Sequence, residues 1–441
     1  MKKLSFYFVG ICGISMYSLA IYLKHFGHNV QGSDISLNNK QYIFLSNNNI
    51  VVNKGHKVKN IKNQNIDILV YSNAAENCAE IEYAKENKIK ILSRAELLGH
   101  IIANYKHSIC VAGAHGKSTT TAMLYSIFKS ANLDPNLHLG AYNGDNKSFY
   151  ITNSEYFISE ACEYKDSFLN FYPETAIILN IEKEHLDYFK NEKNIKTSFN
   201  RFANNSNFLI FNQKYENKLT ESLKNVSNIT FGTAKNDFIA KNIKQNKQGI
   251  SFDCYIKEND GYKFYDKYQL KVFGKHNAIN ALACICVAIQ YGIDKSIIKA
   301  GLQSFKGIKR RFEIYNKTIP IIHDYAHHPT EIKESIQMAE KLYGKKLLIV
   351  FEPHTYSRTK LLLDDFVSVF KNKSVLILKT YAAREQYDYV GSAKYLAKTL
   401  KCKYSATYLV AKKQIEKYIS KGYAILLLGA GTIDSLAEAL K

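Results

Sequence analysis

The chain has 441 residues, of which 46% are hydrophobic and 22% are charged, and its formal net charge is +21. This length exceeds what one hydrophobic core supports, so two or three domains are expected. No apolar run approaches the ~20 residues that cross a bilayer, and no signal peptide is recognised, which together exclude a membrane-spanning or secreted class.

The eight cysteines are scattered and form no C-x-x-C pair, which predicts reduced thiols and a cytoplasmic location. The positive charge comes from 60 Lys and Arg against 39 Asp and Glu. A nucleic-acid partner is one explanation. The lysines are spread along the whole chain, however, which favours a solvated basic surface that helps to steer anionic small substrates.

The first 105 residues predict an α/β unit. A strand at 4–9 leads into a turn with Gly10 and Gly13, then a helix, and then a second strand that ends at Asp34. This order is typical of a Rossmann-like opening, in which a diphosphate lies on the helix N-terminus. The fit to G-x-G-x-x-G is partial, because Cys12 and Ser15 replace glycines. An α/β domain without a ligand is the alternative.

The stretch at 113–119, GAHGKST, follows a predicted buried strand at 109–112 and precedes a predicted helix. Strand, glycine loop, Lys-Ser and helix are typical of a phosphate-binding loop. Lys117 would reach the outer phosphates, and the Ser118 hydroxyl would contact Mg²⁺. The loop is two residues shorter than the common G-x-x-x-x-G-K-[ST] form, and a plain glycine turn is the alternative.

Two later strands end in polar side chains. Glu160 ends a predicted strand at 156–159, and His185 lies shortly after another strand that ends at Asn180. The carboxyl ends of parallel strands share one edge of the sheet, so both side chains are expected near the phosphate loop. Glu160 would be a Mg²⁺ ligand, and His185 would contact metal or phosphate, or else be structural.

Residues 207–272 alternate between apolar and polar side chains, and this pattern predicts antiparallel strands added to the central domain. Asn277 and Asn280 then lie near the start of a predicted helix. Their amides could cap the helix or could hydrogen-bond the edge of a nucleotide base.

The last 135 residues repeat the strand–helix alternation, with polar side chains where strands end. Arg310 and Arg311 suit phosphate or carboxylate binding. Further polar residues lie beyond two later strands: Asp324, Tyr325, His327, His328, His354 and Arg358. The histidines lack cysteine and carboxylate partners at metal spacing, so a zinc site is set aside.

Seven stretches together resemble the Mur ligase family, in the order in which that family carries them. They are GAHGKST at 113–119, SEACE at 159–163, NIEKEHLDYF at 180–189, GKHNAINALA at 274–283, GIKRRFE at 307–313, HDYAHHPTEI at 323–332 and EPHTYSRT at 352–359. The last two blocks resemble the branch that acts on a muramate nucleotide and alanine.

This resemblance implies an α/β fold of three domains. These would be a Rossmann-like UDP-substrate domain at 1–105, a central P-loop ATPase sheet with added antiparallel strands at 106–306, and a Rossmann-like domain at 307–441. It also implies a cytoplasmic enzyme of peptidoglycan synthesis, a monomer or homodimer without nucleic-acid or membrane partners. The enzyme would join L-alanine to UDP-N-acetylmuramate through an acyl phosphate, with ATP and Mg²⁺.

Roles follow from the resemblance, residue by residue. The residues expected to catalyse are Lys117, Glu160, His185 and Arg358. Those expected to hold Mg²⁺ are Ser118, Glu160 and His185. Those expected to contact ATP are Gly113, Ala114, His115, Gly116, Lys117, Ser118, Thr119, His276, Asn277, Asn280, Arg311 and Asp324. Those expected to contact the other substrates are Gly10, Gly13, Asp34, Ser72, Tyr325, His327 and Arg358.

Three competing functions remain open at this point. A recycling ligase would attach a preformed peptide to the same muramate nucleotide. A basic nucleic-acid-binding NTPase would show salt-sensitive affinity for DNA or RNA. A nicotinamide oxidoreductase would share the β-α-β opening, but it leaves the Gly-Lys-Ser loop and Glu160 unexplained.

Overall fold

The computed structural model describes residues 2–220, 223–224, 226–259, 261–316, 319–383 and 385–440. Three sheets flanked by helices confirm the predicted α/β fold. None of the described helices is both long enough and apolar enough to cross a membrane.

The first sheet is wholly parallel, with the strand order β3-β2-β1-β4-β5. Its strands are β1 (Ser5–Val9), β2 (Asn29–Asp34), β3 (Val51–Lys54), β4 (Ile68–Tyr71) and β5 (Lys90–Ser93). The helices are α1 (Ile14–His25), α2 (Lys40–Asn47), α3 (Ala79–Glu86) and α4 (Arg94–Ile102). The order reverses between β1 and β4, so their carboxyl ends form the crevice where such sheets bind ligands.

The second sheet has ten strands in the order β15-β14-β13-β12-β11-β10-β6-β9-β7-β8. The strands are β6 (His107–Ala112), β7 (Asn136–His138), β8 (Phe149–Tyr150), β9 (Tyr156–Glu160), β10 (Thr175–Ile178), β11 (Phe208–Asn212), β12 (Ser227–Gly232), β13 (Phe238–Asn246), β14 (Gly249–Glu258) and β15 (Gly261–Leu270). The helices are α5 (Lys117–Ser130), α6 (Leu186–Phe189), α7 (Glu192–Asn204), α8 (Lys275–Gln290) and α9 (Lys295–Ser304).

The prediction of antiparallel strands over residues 207–272 holds only in part. Strands β14 and β15 are antiparallel, but β11 pairs in parallel with both β10 and β12. The reason lies in the connection, because helix α7 carries the chain back to the starting edge before β11 begins. The buried run Leu209–Phe211 is typical of a strand covered on both faces.

Strand β6 lies inside this sheet, and its residues 109–112 are fully buried. Val111 pairs with Glu160, and Ala112 pairs with Ile178. Burial of each large apolar side chain there stabilises the fold by about 1.5–3 kcal/mol. The segments that follow β6, β9 and β10 therefore emerge side by side at one sheet edge.

The third sheet has the order β16-β17-β21-β18-β19-β20 and is parallel except for the β16–β17 pair. Its strands are β16 (Glu313–Asn316), β17 (Ile321–Asp324), β18 (Leu347–Phe351), β19 (Ser374–Leu378), β20 (Lys403–Ser405) and β21 (Ala424–Leu428). Its helices are α10 (Pro329–Tyr343), α11 (Tyr356–Leu361), α12 (Leu363–Phe370), α13 (Ala393–Leu400), α14 (Tyr408–Ile419) and α15 (Asp434–Ala439).

The chain divides into two compact units. One comprises residues 1–244 and 249–306, and the other comprises 245–248 and 307–441. The first two sheets belong to the first unit, which also contains a core shared between them. The division at 105, 306 and 441 that the sequence suggests stays a prediction.

A buried carboxylate holds the first sheet together. Glu80 of α3 is fully buried and accepts hydrogen bonds from Tyr7 Oη at 2.8 Å, from Asn60 Nδ2 at 2.7 Å and from Ser33 Oγ. His56 Nδ1 lies 3.4 Å from the same carboxylate. Burial alone would raise the pKa of Glu80, but the hydrogen bonds from His56, Ser33, Asn60 and Tyr7 outweigh it and lower the pKa.

We expect Glu80→Gln to lower the free energy of unfolding by about 1–3 kcal/mol at pH 7, because the amide turns an N–H group toward these donors. The stabilisation from a lowered carboxyl pKa is complete above the unfolded pKa and is lost as pH falls through the folded pKa. The difference from wild type in urea unfolding should therefore shrink below about pH 4. Glu82→Gln, on the exposed face of the same helix, is the matched control. A difference that is equal at pH 7 and pH 3 would contradict this role.

Candidate active site

The phosphate-loop prediction corresponds to a sharp turn between β6 and α5. Gly113 has φ +141° and Gly116 has φ +85°, and α5 begins at Lys117. A side chain at Gly116 would lie 2.9 Å from Asn280 Oδ1, and one at Gly113 would lie 3.2 Å from the Asn180 nitrogen. Both glycines are therefore required by conformation and by space, and the turn presents the N-terminus of α5 to an anion.

Asn180 fixes this turn from the neighbouring strand. Its Oδ1 accepts a hydrogen bond from the His115 backbone N–H at 2.8 Å, and its Nδ2 donates to the His115 carbonyl at 2.9 Å. The His115 ring lies 3.6 Å from Glu182 and 3.5 Å from Glu184. The paired amide contacts hold the backbone of the loop at His115 in place.

Lys117 turns back onto its own loop. Its Nζ donates to the carbonyl oxygens of Gly113 and Ala114, and it forms an ion pair of 3.0 Å with the buried Glu163. Burial alone would lower the pKa of Lys117, but the Glu163 carboxylate, with Cys162, outweighs it and raises that pKa. The ammonium therefore stays charged beside the place where the helix N-terminus attracts phosphate.

A candidate metal-binding group lies next to this ion pair. Glu163, Glu184 and His185 place one ligand atom each within 4.8 Å of one another. The His185 Nε2 atom lies 3.8 Å from Glu163 and 3.9 Å from Glu184, and the ring packs on Tyr164 with centroids 4.8 Å apart. Two carboxylates and an imidazole form a donor set that fits a divalent cation such as Mg²⁺.

Of the predicted metal ligands, the structure brings His185 into this group and leaves Glu160 outside it. Glu160 Oε1 accepts a hydrogen bond from the Gly140 N–H at 2.8 Å. Ser118, in the first turn of α5, lies next to Lys117, as the sequence requires, and Thr119 follows it. Sequence reasoning missed Glu163, although the spacing Glu-x-x-Glu in SEACE offers two carboxylates near the end of the strand.

The predicted base-contacting amides lie at the start of α8. Asn277 donates from Nδ2 to the Phe273 carbonyl at 2.6 Å and accepts from Asn280 Nδ2 at 3.1 Å. The helix N-cap is Gly274, which has no capping side chain, and the His276 ring lies against it. The structure thus connects Asn280 to the phosphate loop, which the sequence alone did not indicate.

The predicted diphosphate loop lies at the carboxyl ends of β1, β2 and β4. Gly10 has φ +80°, and a side chain there would lie 2.6 Å from Ser72 Oγ. Gly13 is the N-cap of α1. Asp34 accepts a hydrogen bond from the Cys12 N–H at 2.9 Å. Gly10, Gly13, Asp34 and Ser72 are therefore brought together in one crevice, as parallel-sheet topology predicts.

The second unit contains a cationic cluster of its own. The guanidinium carbons of Arg310 and Arg311 lie 4.9 Å and 5.0 Å from the Tyr325 ring centroid. Arg310 donates to the carbonyls of Gly429 and Gly431 at 3.3 Å and 3.0 Å. Two guanidiniums against one aromatic ring form a cationic group that attracts anions.

Arg358, His354 and His327 lie together at the carboxyl end of the third sheet. Arg358 Nη1 lies 3.2 Å from His354 Nδ1, and the rings of His354 and His327 are 5.6 Å apart. Burial lowers the pKa of His327 to about 4, with a partly opposing effect of Glu331 and a further lowering by Arg358. Both imidazoles are neutral at pH 7, because burial and then Arg358 also lower the pKa of His354.

Asp324 ends β17 and is buried. Its carboxylate accepts from Ser335 Oγ at 2.6 Å and from the Ala326 N–H at 3.1 Å. Burial raises its pKa to about 6, and the contacts with Ser335 and Arg311 oppose that rise. This geometry makes Asp324 an anchor between the β17 turn and α10.

The comparisons with known proteins agree over the whole length. The family model described as "Mur ligase family, catalytic domain" matches residues 5–106, "Mur ligase middle domain" matches 111–288, and "Mur ligase, glutamate ligase domain" matches 310–431. The UDP-N-acetylmuramate–L-alanine ligase of Clostridium tetani is 42% identical, over 97% of this chain and 95% of the relative. That of Agathobacter rectalis is 39% identical, over 100% and 98%.

Two solved structures share the fold. The UDP-N-acetylmuramate–alanine ligase of Thermotoga maritima superposes with a TM-score of 0.83 at 23% identity, covering 99% of this chain and 98% of that one. A murein peptide ligase from Psychrobacter arcticus gives 0.72 at 22% identity, with the same coverage.

Proposed function

The chain belongs to the Mur ligase family, and from this membership we propose that it joins L-alanine to UDP-N-acetylmuramate with ATP as the energy source. The observation that carries the proposal is sequence identity. About two-fifths of all positions, over nearly the full length, are identical to those of enzymes named for that reaction. This identity extends over all three sheets.

The chemistry explains why these residue types are needed. A carboxylate is a poor acyl donor, so its oxygen first attacks the γ-phosphorus of ATP, and the bond to ADP breaks. The alanine nitrogen then attacks the carbonyl carbon of the acyl phosphate, the carbon–oxygen bond to phosphate breaks, and the proton lost from nitrogen passes to solvent. Negative charge builds on phosphoryl oxygens and then on the carbonyl oxygen, so fixed positive groups lower both barriers.

In this proposal the turn at 113–119 binds the phosphates of ATP through its backbone N–H groups and the N-terminus of α5. Lys117 exchanges the carbonyls of its own loop for phosphate oxygens, while Glu163 keeps its ammonium in place. Asn280 and Asn277 lie on the adenine side, next to His276. The contact between Asn280 and Gly116 supports this, because it places these amides beside the loop.

Mg²⁺ would be held by Glu163, Glu184 and His185, with Ser118 and Glu160 as the further oxygen donors that the sequence predicts. When bound, the ion neutralises charge on the phosphate oxygens. The protein's own contribution is to hold two carboxylates and an imidazole at short separation.

We expect His185→Ala to raise the Mg²⁺ concentration for half-maximal phosphate release by about tenfold or more, because one ligand is lost. A Mg²⁺ titration at saturating ATP measures this. His100→Ala, an exposed histidine on α4, is the matched control. An unchanged titration in His185→Ala would remove this residue from the metal site.

In the second unit, Arg358 would bind the carboxylate of L-alanine, with Tyr325 and His327 lining the same place. The contact between Arg358 and neutral His354 supports this, since it orients the guanidinium without supplying an anion. Arg311 and Asp324 are proposed to contact the nucleotide. The UDP portion would lie at the first sheet, on Gly10, Gly13, Asp34 and Ser72.

A phosphate-release assay with UDP-N-acetylmuramate, ATP, Mg²⁺ and a panel of amino acids tests the proposed reaction. L-alanine should give the highest turnover, with glycine and L-serine lower. The assay includes a preformed tripeptide, because the murein peptide ligase fold is also similar. Turnover with the tripeptide and none with L-alanine would overturn the proposal in favour of a recycling ligase.

A further inference from the structure

A polar cluster within the first unit lies where the first and second sheets meet. Ser15 is in the first turn of α1, Arg94 begins α4, and His138 ends β7. Arg94 Nη1 donates to Ser15 Oγ at 3.2 Å, and Ser15 Oγ lies 2.9 Å from His138 Nε2. The cluster therefore joins the predicted diphosphate loop to the ATP-binding sheet.

The hydrogen-bond directions in this cluster are determined by its chemistry. Ser15 accepts from Arg94, so its own proton is free to donate to His138 Nε2. Nδ1 then carries the imidazole proton and faces Ser159 Oγ at 3.5 Å. Burial, followed by the charge of Arg94, lowers the pKa of His138 to about 3, so the ring is neutral. The cluster thus orients Arg94 through uncharged groups.

The guanidinium is left with donors to spare. It has five N–H donors, and among the described residues its one side-chain hydrogen bond is to Ser15, with no carboxylate close enough for an ion pair. Arg94 is half-buried, and burial lowers the pKa of its guanidinium, a shift that Cys162 and Glu160 partly oppose. A half-buried guanidinium that has unused donors and no ion-pair partner among the described residues presents a charged fork, and such a fork fits an anionic ligand.

The position of Arg94 relative to the phosphate loop indicates which anion this is. His138 pairs with Ser159 of β9, and the next residue, Glu160, pairs with Val111 of β6, which leads into the phosphate loop. The cluster therefore lies on the strand next but one to β6, and Glu160 acts electrostatically on both Arg94 and Lys117. Glu160 is itself tied to Gly140, just after His138. An anion on Arg94 would therefore lie within reach of the phosphoryl group that Lys117 binds.

Resting on the proposed function, we propose that Arg94 binds the lactyl carboxylate of UDP-N-acetylmuramate, the group to be phosphorylated, and that Ser15 positions its guanidinium. The lactyl carboxylate supplies the ion-pair partner that Arg94 does not have among the described side chains. A planar guanidinium can bind both carboxylate oxygens and turn one of them toward the γ-phosphate. Arg94 is then a substrate-binding residue, and Ser15 and His138 are positioning residues.

A comparison of two nucleotides isolates the contribution of the lactyl carboxylate to binding. UDP-N-acetylmuramate carries the lactyl ether, and UDP-N-acetylglucosamine has the same diphosphate and sugar without it. Calorimetric titration of each into the full chain without ATP measures binding directly. For Arg94→Ala we expect UDP-N-acetylmuramate to bind about 30-fold more weakly and UDP-N-acetylglucosamine to bind within about twofold of wild type.

Two further variants keep the test independent of folding defects. Arg94→Lys retains the charge and should lose about tenfold in affinity for UDP-N-acetylmuramate alone, because a point charge cannot replace the fork. Ser15→Ala should lose about threefold to tenfold with the same selectivity. Arg201→Ala, an exposed arginine on α7, is the control, and circular dichroism checks the fold of each variant.

The outcomes separate the two proposals. If wild type binds UDP-N-acetylmuramate but Arg94→Ala loses affinity equally for both nucleotides, Arg94 contacts the diphosphate and the inference is wrong. If Arg94→Ala binds both as wild type does, Arg94 contacts neither, and the inference is again wrong. If wild type itself fails to bind UDP-N-acetylmuramate, the proposed function fails first.

Discussion

Lys117→Ala is expected to reduce ATP-dependent phosphate release by about a thousandfold or more, because a partly buried cation that stabilises transition-state charge is removed. The ammonium lies 3.0 Å from Glu163 and next to the N-terminus of α5. Its removal takes away the charge and also leaves the Glu163 carboxylate without its counterion.

The second consequence needs its own control. An unpaired buried carboxylate is destabilising, so turnover must be normalised to the concentration of folded protein. Circular dichroism and binding of UDP-N-acetylmuramate measure that concentration. The double variant Lys117→Ala/Glu163→Gln restores neutrality and should stay inactive. Lys129→Ala, in the last turn of the same helix, should keep wild-type turnover. Turnover of folded Lys117→Ala within tenfold of wild type would contradict the phosphate-binding role.

The phosphate loop is the part of the site that could be predicted most fully from the sequence. Its strand, two glycines and helix are contiguous, so local rules determine the turn. Which carboxylate faces it could not be predicted in the same way. Glu163 lies three residues beyond β9, at the start of a segment that turns through Lys165 and Asp166 with positive φ, and no pattern in SEACEYKD indicates that conformation.

Contacts between segments that are distant in the sequence could not be predicted from it either. Asn280 lies against Gly116, and Arg94 reaches Ser15, only because whole helices pack against neighbouring sheets. The alternation of apolar and polar residues identified a strand at Phe208–Asn212 but not its direction, since direction depends on the helix before it. The three-sheet α/β class was predictable because strand–helix periodicity is repeated along the whole chain.

Arg358→Lys is expected to raise the KM for L-alanine by about 100-fold while changing the KM for ATP by less than about threefold, because the planar fork binds two carboxylate oxygens and a single ammonium does not. The fork is already oriented in this structure, with Nη1 3.2 Å from His354 Nδ1. His354 is neutral, so the charge of Arg358 stays available for a substrate carboxylate.

A conservative change at Arg358 separates geometry from charge, which an alanine variant cannot do. Steady-state kinetics in which L-alanine and ATP are varied in turn measure the two KM values. Alaninamide, which lacks the carboxylate, gives a second comparison, because wild type and Arg358→Lys should use it equally poorly. Lys360→Ala, two residues along α11 and exposed in a pair with Asp388, should leave both KM values unchanged. Equal increases in both KM values for Arg358→Lys would mean that Arg358 supports the fold of the second unit generally. The alanine carboxylate would then be bound by another cation, and Arg310 and Arg311 beside the Tyr325 ring would be the next residues to test.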